Sequence, residues 1–315
     1  MDDWNTPTTA ERISSFMYTD RSDTVDRVQR ALLDDAVSCV QNVKPGEVTE
    51  VMRAVSARFG LEGSLLLQAG FASFFGHREN VGEVFMTVNK RREYEFIPPH
   101  SEGNSFVGMQ LAAFYCNENT TDGGHTILLN VDSENPVWET LREKVVRGLA
   151  DAGGIAARDI PRVRGLYQLQ PPFIGPTATD IVLEQERAAI AGLQLCTVLA
   201  KPKRSHSAIL RQDLFAFWDS VGSIDSDCAR QFSQLLQDEG LLRRPGVNRS
   251  WESMDNAAER HRWSSRAPLG KIFKGKVVKK MAPGELIIVN NLTWAHAVSN
   301  WTPNSGIRNV VAAFA

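Results

Sequence analysis

The sequence predicts an α+β protein with a mainly β core in a single domain spanning 1–315, with a helical segment over 1–60 and a large, mostly helical insert. Three observations carry this. Apolar residues at helical spacing fill residues 22–60. Short segments rich in Phe, Val or Ile, bounded by Gly, Asn and Asp, follow them. Strand-like segments then return after residue 275, so the β body brackets an insert over 132–275 that is assigned to a lid and to substrate specificity.

Taken in order, Val25, Val28, Ala31, Leu32 and Ala36 approach i, i+3, i+4 spacing, and Pro45-Gly46 breaks the run before a second helix from Glu47 to Phe59. Ser64–Leu67, Glu83–Val88, Phe106–Tyr115 and Thr126–Val131 read as strands. Pro136 to Ala152 reads as helix, because Val137, Leu141, Val145 and Leu149 recur every four residues. Residues 158–179 carry Pro161, Pro171, Pro172 and Pro176 and read as loop, either a lid over the pocket mouth or an ordered connector. Helices are expected at Ala208–Val221 and Ser226–Leu242, then strands at Lys276–Lys280, Glu285–Asn290 and Asn309–Phe314.

Composition narrows the function classes. Lys plus Arg number 35 against 37 for Asp plus Glu, a net charge of -2, so the chain is not built to coat nucleic acid. No run approaches about 18 uninterrupted apolar residues, which argues against a membrane span. The opening residues are polar and acidic with no apolar h-region, so no signal peptide is expected. Cys39, Cys116, Cys196 and Cys228 stand far apart with no CxxC pair, which fits buried free thiols in a reducing, cytoplasmic setting. Residues 241–280 hold eleven Lys or Arg against three acidic residues, and read as a solvated surface or as a cationic rim that draws in an anion.

The chemistry concentrates in Tyr94-Glu95-Phe96-Ile97-Pro98-Pro99-His100-Ser101-Glu102-Gly103-Asn104. In an extended strand residues i and i+2 share a face, so His100 and Glu102 present an imidazole and a carboxylate side by side. A second imidazole would complete two His and one carboxylate, the facial arrangement of non-haem iron oxygenases. The segment from Met281 to Ala297 supplies one: Pro283-Gly284 turns into a buried strand that leads to His296, and Arg308 stands on a later strand.

These residues resemble the Fe(II)/2-oxoglutarate-dependent dioxygenases of the taurine dioxygenase and clavaminate synthase-like superfamily. The match lies in Pro99-His100-Ser101-Glu102, in Asp122-Gly123-Gly124-His125-Thr126, in Pro283-Gly284-Glu285 with Asn291 through His296, and in Arg308. It covers residues 94–131 and 281–314. Ala297 and Val298 depart from the small-plus-basic pair that often follows the second histidine. The resemblance implies a double-stranded β-helix, the jelly-roll or cupin-like architecture. It implies Fe(II) held by His100, Glu102 and His296, with 2-oxoglutarate and O2 as co-substrates. Arg308 would bind the far carboxylate of 2-oxoglutarate, helped by the Thr126 hydroxyl. The reaction implied is ferryl hydrogen abstraction with release of succinate and CO2. A carboxylate at Glu102 argues against halogenation, leaving hydroxylation as the default and desaturation or cyclisation open.

Substrate contacts are expected from Asn104, Phe106, Tyr94, Arg92, Trp294 and His261, with Trp294 and Trp301 alternatively capping the sandwich. His77 and His206 read as surface residues, and His125 should face away from the metal. The expected partner is a small polar molecule, such as an amino acid or natural-product intermediate, and an anionic one is open. Two other readings stand beside the oxygenase: a cupin-like metal-binding module, and a 2-oxoglutarate-independent metal enzyme on the same barrel.

Overall fold

The computed structural model describes residues 12–74, 78–88, 97–102, 109–132, 136, 142–200, 234–243, 263–264 and 273–315. Its centre is a seven-stranded sheet in the order β1 (Ile13–Met17), β2 (Val37–Gln41), β13 (Leu286–Asn290), β6 (Leu111–Asn119), β15 (Arg308–Phe314), β4 (Phe85–Thr87) and β3 (Asn80–Val81). A four-stranded sheet, β12 (Phe273–Lys279), β7 (Thr126–Val131), β14 (Trp294–Val298) and β5 (Ile97–His100), packs against one face of it. Every pairing in these two sheets is antiparallel except β1 with β2.

The central strands are apolar on both faces because each face is covered. Leu111, Ala113 and Tyr115 of β6, with Leu286, Ile288, Val311 and Ala313, meet three helices: α1 (Arg21–Leu33), α2 (Pro45–Arg58) and α3 (Glu62–Phe74). The alternate residues Ala112, Phe114, Cys116, Ile287, Val289, Val310, Ala312 and Phe314 point the other way and meet Leu128, Val277 and Trp294 of the smaller sheet. Period-two alternation thus sorts one strand into two separate cores. Asp20 caps α1 by accepting from the Asp23 N–H at 2.9 Å, and Pro45 opens α2 where no N–H partner is needed.

The residues 142–200, with 263–264, form a third sheet in the order β11 (Trp263–Ser264), β8 (Arg142–Ala150), β10 (Leu193–Ala200) and β9 (Ile181–Arg187). Helix α4 (Ile160–Tyr167) packs Val163 onto Ile190, Leu193 and Leu195 of this unit.

Several expectations are corrected here. Ser64–Leu67 is helical, part of α3: Leu65 and Ala69 are buried while Leu66 and Leu67 are exposed, a helical and not an alternating pattern. The expected helix over 136–152 is replaced by strand β8 over its described part. Four-residue spacing is a multiple of two as well as close to 3.6, so it puts side chains on one face of a strand as readily as of a helix. The loop expected over 158–179 contains α4, with Pro161 in its first turn. The described part of the insert is therefore dominated by strands and is not mostly helical. Helix 208–221 and residues 226–233 lie outside the described residues, while 234–238 is helical.

Within the basic stretch 241–280, four described cations are tied to acceptors. Arg243 donates to the Asp122 carbonyl at 2.8 Å, Lys276 pairs with Glu239, Lys279 with Glu285 at 2.9 Å, and Lys280 donates to the Thr121 carbonyl. These four are engaged within the fold, and Arg244, Arg249, Arg260, Arg262, Arg266 and Lys271 of the stretch lie outside the described residues. Cys39, Cys116 and Cys196 are buried free thiols, and burial pushes Cys39 and Cys116 up to about 11. Among the described residues, no helix is long and apolar enough to cross a membrane.

Candidate metal centre

Strands β5 and β14 are neighbours in the smaller sheet, and His296 is the register partner of His100. Directly opposed positions of an antiparallel pair share a face, so the two histidine positions coincide on the inner side of the sandwich. The side chain of His100 lies outside the described residues. His296 sits among inter-sheet rings: its centroid is 4.9 Å from that of Phe114 and 6.4 Å from Phe314, which it stacks on.

Glu102 follows β5 and is held by its backbone. The Glu102 N–H donates to Asn291 Oδ1 at 3.1 Å, and Asn291 Nδ2 donates to the carbonyls of Glu102 at 2.8 Å and Met109 at 2.7 Å. Asn291 is fully buried in the turn between β13 and β14. One amide thereby ties the segment carrying Glu102 to the turn that launches His296.

The outcome is a convergence of donors. Glu102 Oε1 lies 3.9 Å from His296 Nε2, with side-chain exposures of 15% and 7%. Two donors each about 2.0–2.2 Å from one ion stand at most about 4.4 Å apart, so this pair is within the reach of a shared divalent metal. An imidazole and a carboxylate, with a second imidazole position in register, suit ferrous iron. Among the described residues no group of three or more His, Cys, Asp and Glu side chains is assembled; the third donor rests on the backbone position of His100.

The same inner face carries Thr126 and Arg308. Thr126 opposes Val298, one inward step along β7 from the Leu128–His296 pair, and is buried. Arg308 opens β15, packs its guanidinium 5.9 Å over Trp301, and donates from Nε to the Gly124 carbonyl at 3.2 Å. Burial pulls its pKa down to about 10, and it makes no ion pair with a described carboxylate. A guanidinium so placed has the donor geometry to receive a carboxylate.

The Gly123-Gly124 pair is required by this packing. A Cβ at Gly123 would fall 2.0 Å from the Asn300 carbonyl oxygen. Gly124 has φ +66° and a Cβ there would fall 2.8 Å from Arg308 Cδ. Asp122 in the same turn accepts from the Thr302 N–H at 2.8 Å, from its hydroxyl at 2.5 Å and from Ser305 at 3.1 Å. The His125 N–H donates to Ser299 Oγ and the Ser299 N–H to the His125 carbonyl; burial of the His125 imidazole, with Lys280 and Arg243 nearby, lowers its pKa.

Trp294 occupies the inward face of β14 two residues before His296, fully buried, and its indole N–H donates to the Asp35 carbonyl at 3.1 Å. It is core beneath the site. Tyr94, Arg92, Asn104, Phe106, His261, His77 and His206 lie outside the described residues. Two participants had no assigned role from sequence. Asn291 was visible as a fixed-distance partner of His296, but its clamp on Glu102 is a contact across 189 residues. Arg78, whose Nη2 lies 2.6 Å from Glu102 Oε1, carries no local sequence signal at all.

No known protein-family profile matches the chain, and no curated protein matches it. Solved structures similar to it include AAD-2 in complex with Mn(II) and N-oxalylglycine, at 14% identity and a TM-score of 0.41, covering 98% of this chain and 94% of that one. A taurine dioxygenase from Burkholderia xenovorans is similar at 13% identity and a TM-score of 0.41, covering 98% and 88%. A putative alpha-ketoglutarate-dependent taurine dioxygenase from the same organism gives 12% identity and a TM-score of 0.41, covering 98% and 90%. At these scores the geometry of the site, and not the likeness, carries the reading below.

Proposed function

We propose that this protein is a non-haem Fe(II)- and 2-oxoglutarate-dependent oxygenase on a double-stranded β-helix, acting on a small polar molecule, with hydroxylation as its default reaction. The observation that carries the reading is the buried approach of Glu102 to His296 at 3.9 Å, beside the register position of His100. His100, Glu102 and His296 would hold the iron. Iron held there together with 2-oxoglutarate would supply O2 activation and hydrogen removal, with succinate and CO2 as co-products.

The chain's own residues do the rest. Arg308 offers a planar pair of donors to the distal carboxylate of 2-oxoglutarate, and the cost of its burial without a described carboxylate partner is relieved when that anion arrives. Thr126, on the same inner face, adds a hydroxyl donor. Phe114 and Phe314 flank His296 and exclude water from its side of the centre. Asn291 keeps Glu102 in place through the backbone.

The test is conversion of 2-oxoglutarate to succinate by purified protein with and without Fe(II). The expected result is iron-dependent turnover that disappears in His100→Ala and His296→Ala. Full activity in either variant with normal iron content would refute the assignment, and tight metal binding with no O2 consumption would identify a metal-binding module instead.

A further inference from the structure

Arg78 and Glu102 approach from opposite sheets. Arg78 stands two residues before β3, on the outer edge of the seven-stranded sheet, and its neighbour Glu79 is fastened to β4: the Glu79 N–H donates to Thr87 Oγ1 at 3.0 Å, and the Thr87 N–H to the Glu79 carbonyl at 2.8 Å. Glu102 follows β5, the outer strand of the four-stranded sheet. The ion pair therefore closes the sandwich along the seam where these two edges meet.

The guanidinium is fixed on three sides. Nη2 donates to Glu102 Oε1 at 2.6 Å, Nη1 faces Met86 Sδ at 3.7 Å, and the plane lies 5.1 Å over the Phe314 ring. Met86 and Phe314 belong to β4 and β15 of the large sheet, so that sheet dictates the direction of the donor fork. The side chains of Arg78 and Glu102 are only 13% and 15% exposed, which makes this a charge-assisted contact in a partly desolvated seam and not a surface pair. The oxygen that Arg78 holds is the same Oε1 that faces His296 Nε2.

A glutamate reaches its ligand position through three rotatable bonds, and an unfixed carboxylate loses rotamer freedom on binding a metal. We propose that Arg78 is a positioning residue for the metal centre: it presets the Glu102 carboxylate toward His296, so that the donor set is formed before the metal arrives. This rests on the metal-binding reading above and assigns the metal's affinity partly to a residue that does not touch it. Partners that orient metal ligands are typically worth about 10–100-fold in affinity.

The experiment is an anaerobic Mn(II) titration of the full chain, following the electron paramagnetic resonance of free Mn(II), with Co(II) absorption bands as a coordination readout and thermal melting of the metal-free protein alongside. For Arg78→Gln we expect Mn(II) binding weaker by about 10–100-fold and shifted Co(II) bands. Arg78→Lys keeps the charge but lacks the planar fork, and we expect it to fall between Gln and wild type, with the bands still shifted. Should Arg78→Gln fail to fold, the Lys variant decides alone. An affinity within twofold of wild type with unchanged bands overturns the proposal, whatever the melting temperature does. Tighter binding overturns it too, since Arg78 would then be a competitor of the metal. If wild type itself binds no metal, the metal-centre reading fails first, and that outcome is distinct from a wild type that binds and variants that match it.

Discussion

Asn291→Ala tests how the two halves of the centre are joined. The substitution deletes three hydrogen bonds: one received from the Glu102 N–H, and two donated to the carbonyls of Glu102 and Met109. Asn291 is fully buried, so the abandoned groups lose their partners where water does not replace them. Each stranded group costs about 1–3 kcal/mol, and taking the lower bound for each gives about 3 kcal/mol in all. An unfolding entropy of roughly 2.1 cal/mol/K per residue over 315 residues converts this to a fall in Tm of about 5 °C. The neighbouring Asn290→Ala is the control. Its side chain is equally buried but accepts one bond, from the Leu292 N–H at 2.9 Å, so about 1 kcal/mol is expected. Differential scanning calorimetry reads the stability, and Mn(II) titration of the folded fraction reads the site. The expected signature is that Asn291→Ala weakens Mn(II) binding by about tenfold, as loss of a ligand-orienting partner does, while Asn290→Ala leaves it unchanged. Equal melting shifts in the two variants, with metal affinity unmoved in both, would refute the clamp.

Two further outcomes follow from the turn before β7. Gly124→Ala must place a Cβ at φ +66° and 2.8 Å from Arg308 Cδ, so we expect about 1–2 kcal/mol of destabilisation, with 2-oxoglutarate binding weakened and Mn(II) affinity kept; parallel calorimetry and ligand titration check it, and unaltered 2-oxoglutarate binding would remove Arg308 from the proposed role. For Asp122, burial works to raise the pKa, but hydrogen bonds from Thr302 and Ser305, with Arg243 nearby, outweigh it and hold the carboxyl below its ordinary 3.8. A folded pKa below the unfolded one stabilises the fold above the unfolded value, and that contribution is lost as pH falls through the folded value. Asp122→Asn should therefore cost under about 1 kcal/mol at neutral pH, the side chain being exposed, and urea melts of variant and wild type should converge under strong acid; a gap that widens on acidification would contradict the sign.

What was legible in the sequence is what local chemistry encodes. Strands β7, β13 and β15 announce themselves by apolar runs close to turn residues, and Pro45-Gly46 separates two helices. The proposed donors His100, Glu102 and His296 could be named from sequence because strand periodicity pairs the first two and a resemblance in motif order points to the third. Elements whose character depends on a distant partner were not. Leu65, Leu66 and Leu67 read as strand until the buried pair Leu65 and Ala69 shows a helix against the large sheet. Strand β8 hides behind four-residue spacing that fits both periodicities, and β9 is exposed throughout, with no buried face to write a pattern. Arg78 is the clearest case: its meaning comes from the packing of one sheet edge against another, 24 residues away in the chain, which no spacing rule reports.

The central claim is that Glu102, His296 and His100 form one ferrous site that is completed by 2-oxoglutarate. Its most direct test is an anaerobic Fe(II) titration of wild type with 2-oxoglutarate present, followed by visible absorption. We expect one equivalent of iron bound and a metal-to-ligand charge-transfer band that appears only when both iron and 2-oxoglutarate are added, and that is absent in His296→Ala. Saturation with iron and 2-oxoglutarate without that band, or a band that survives unchanged in His296→Ala, would contradict it.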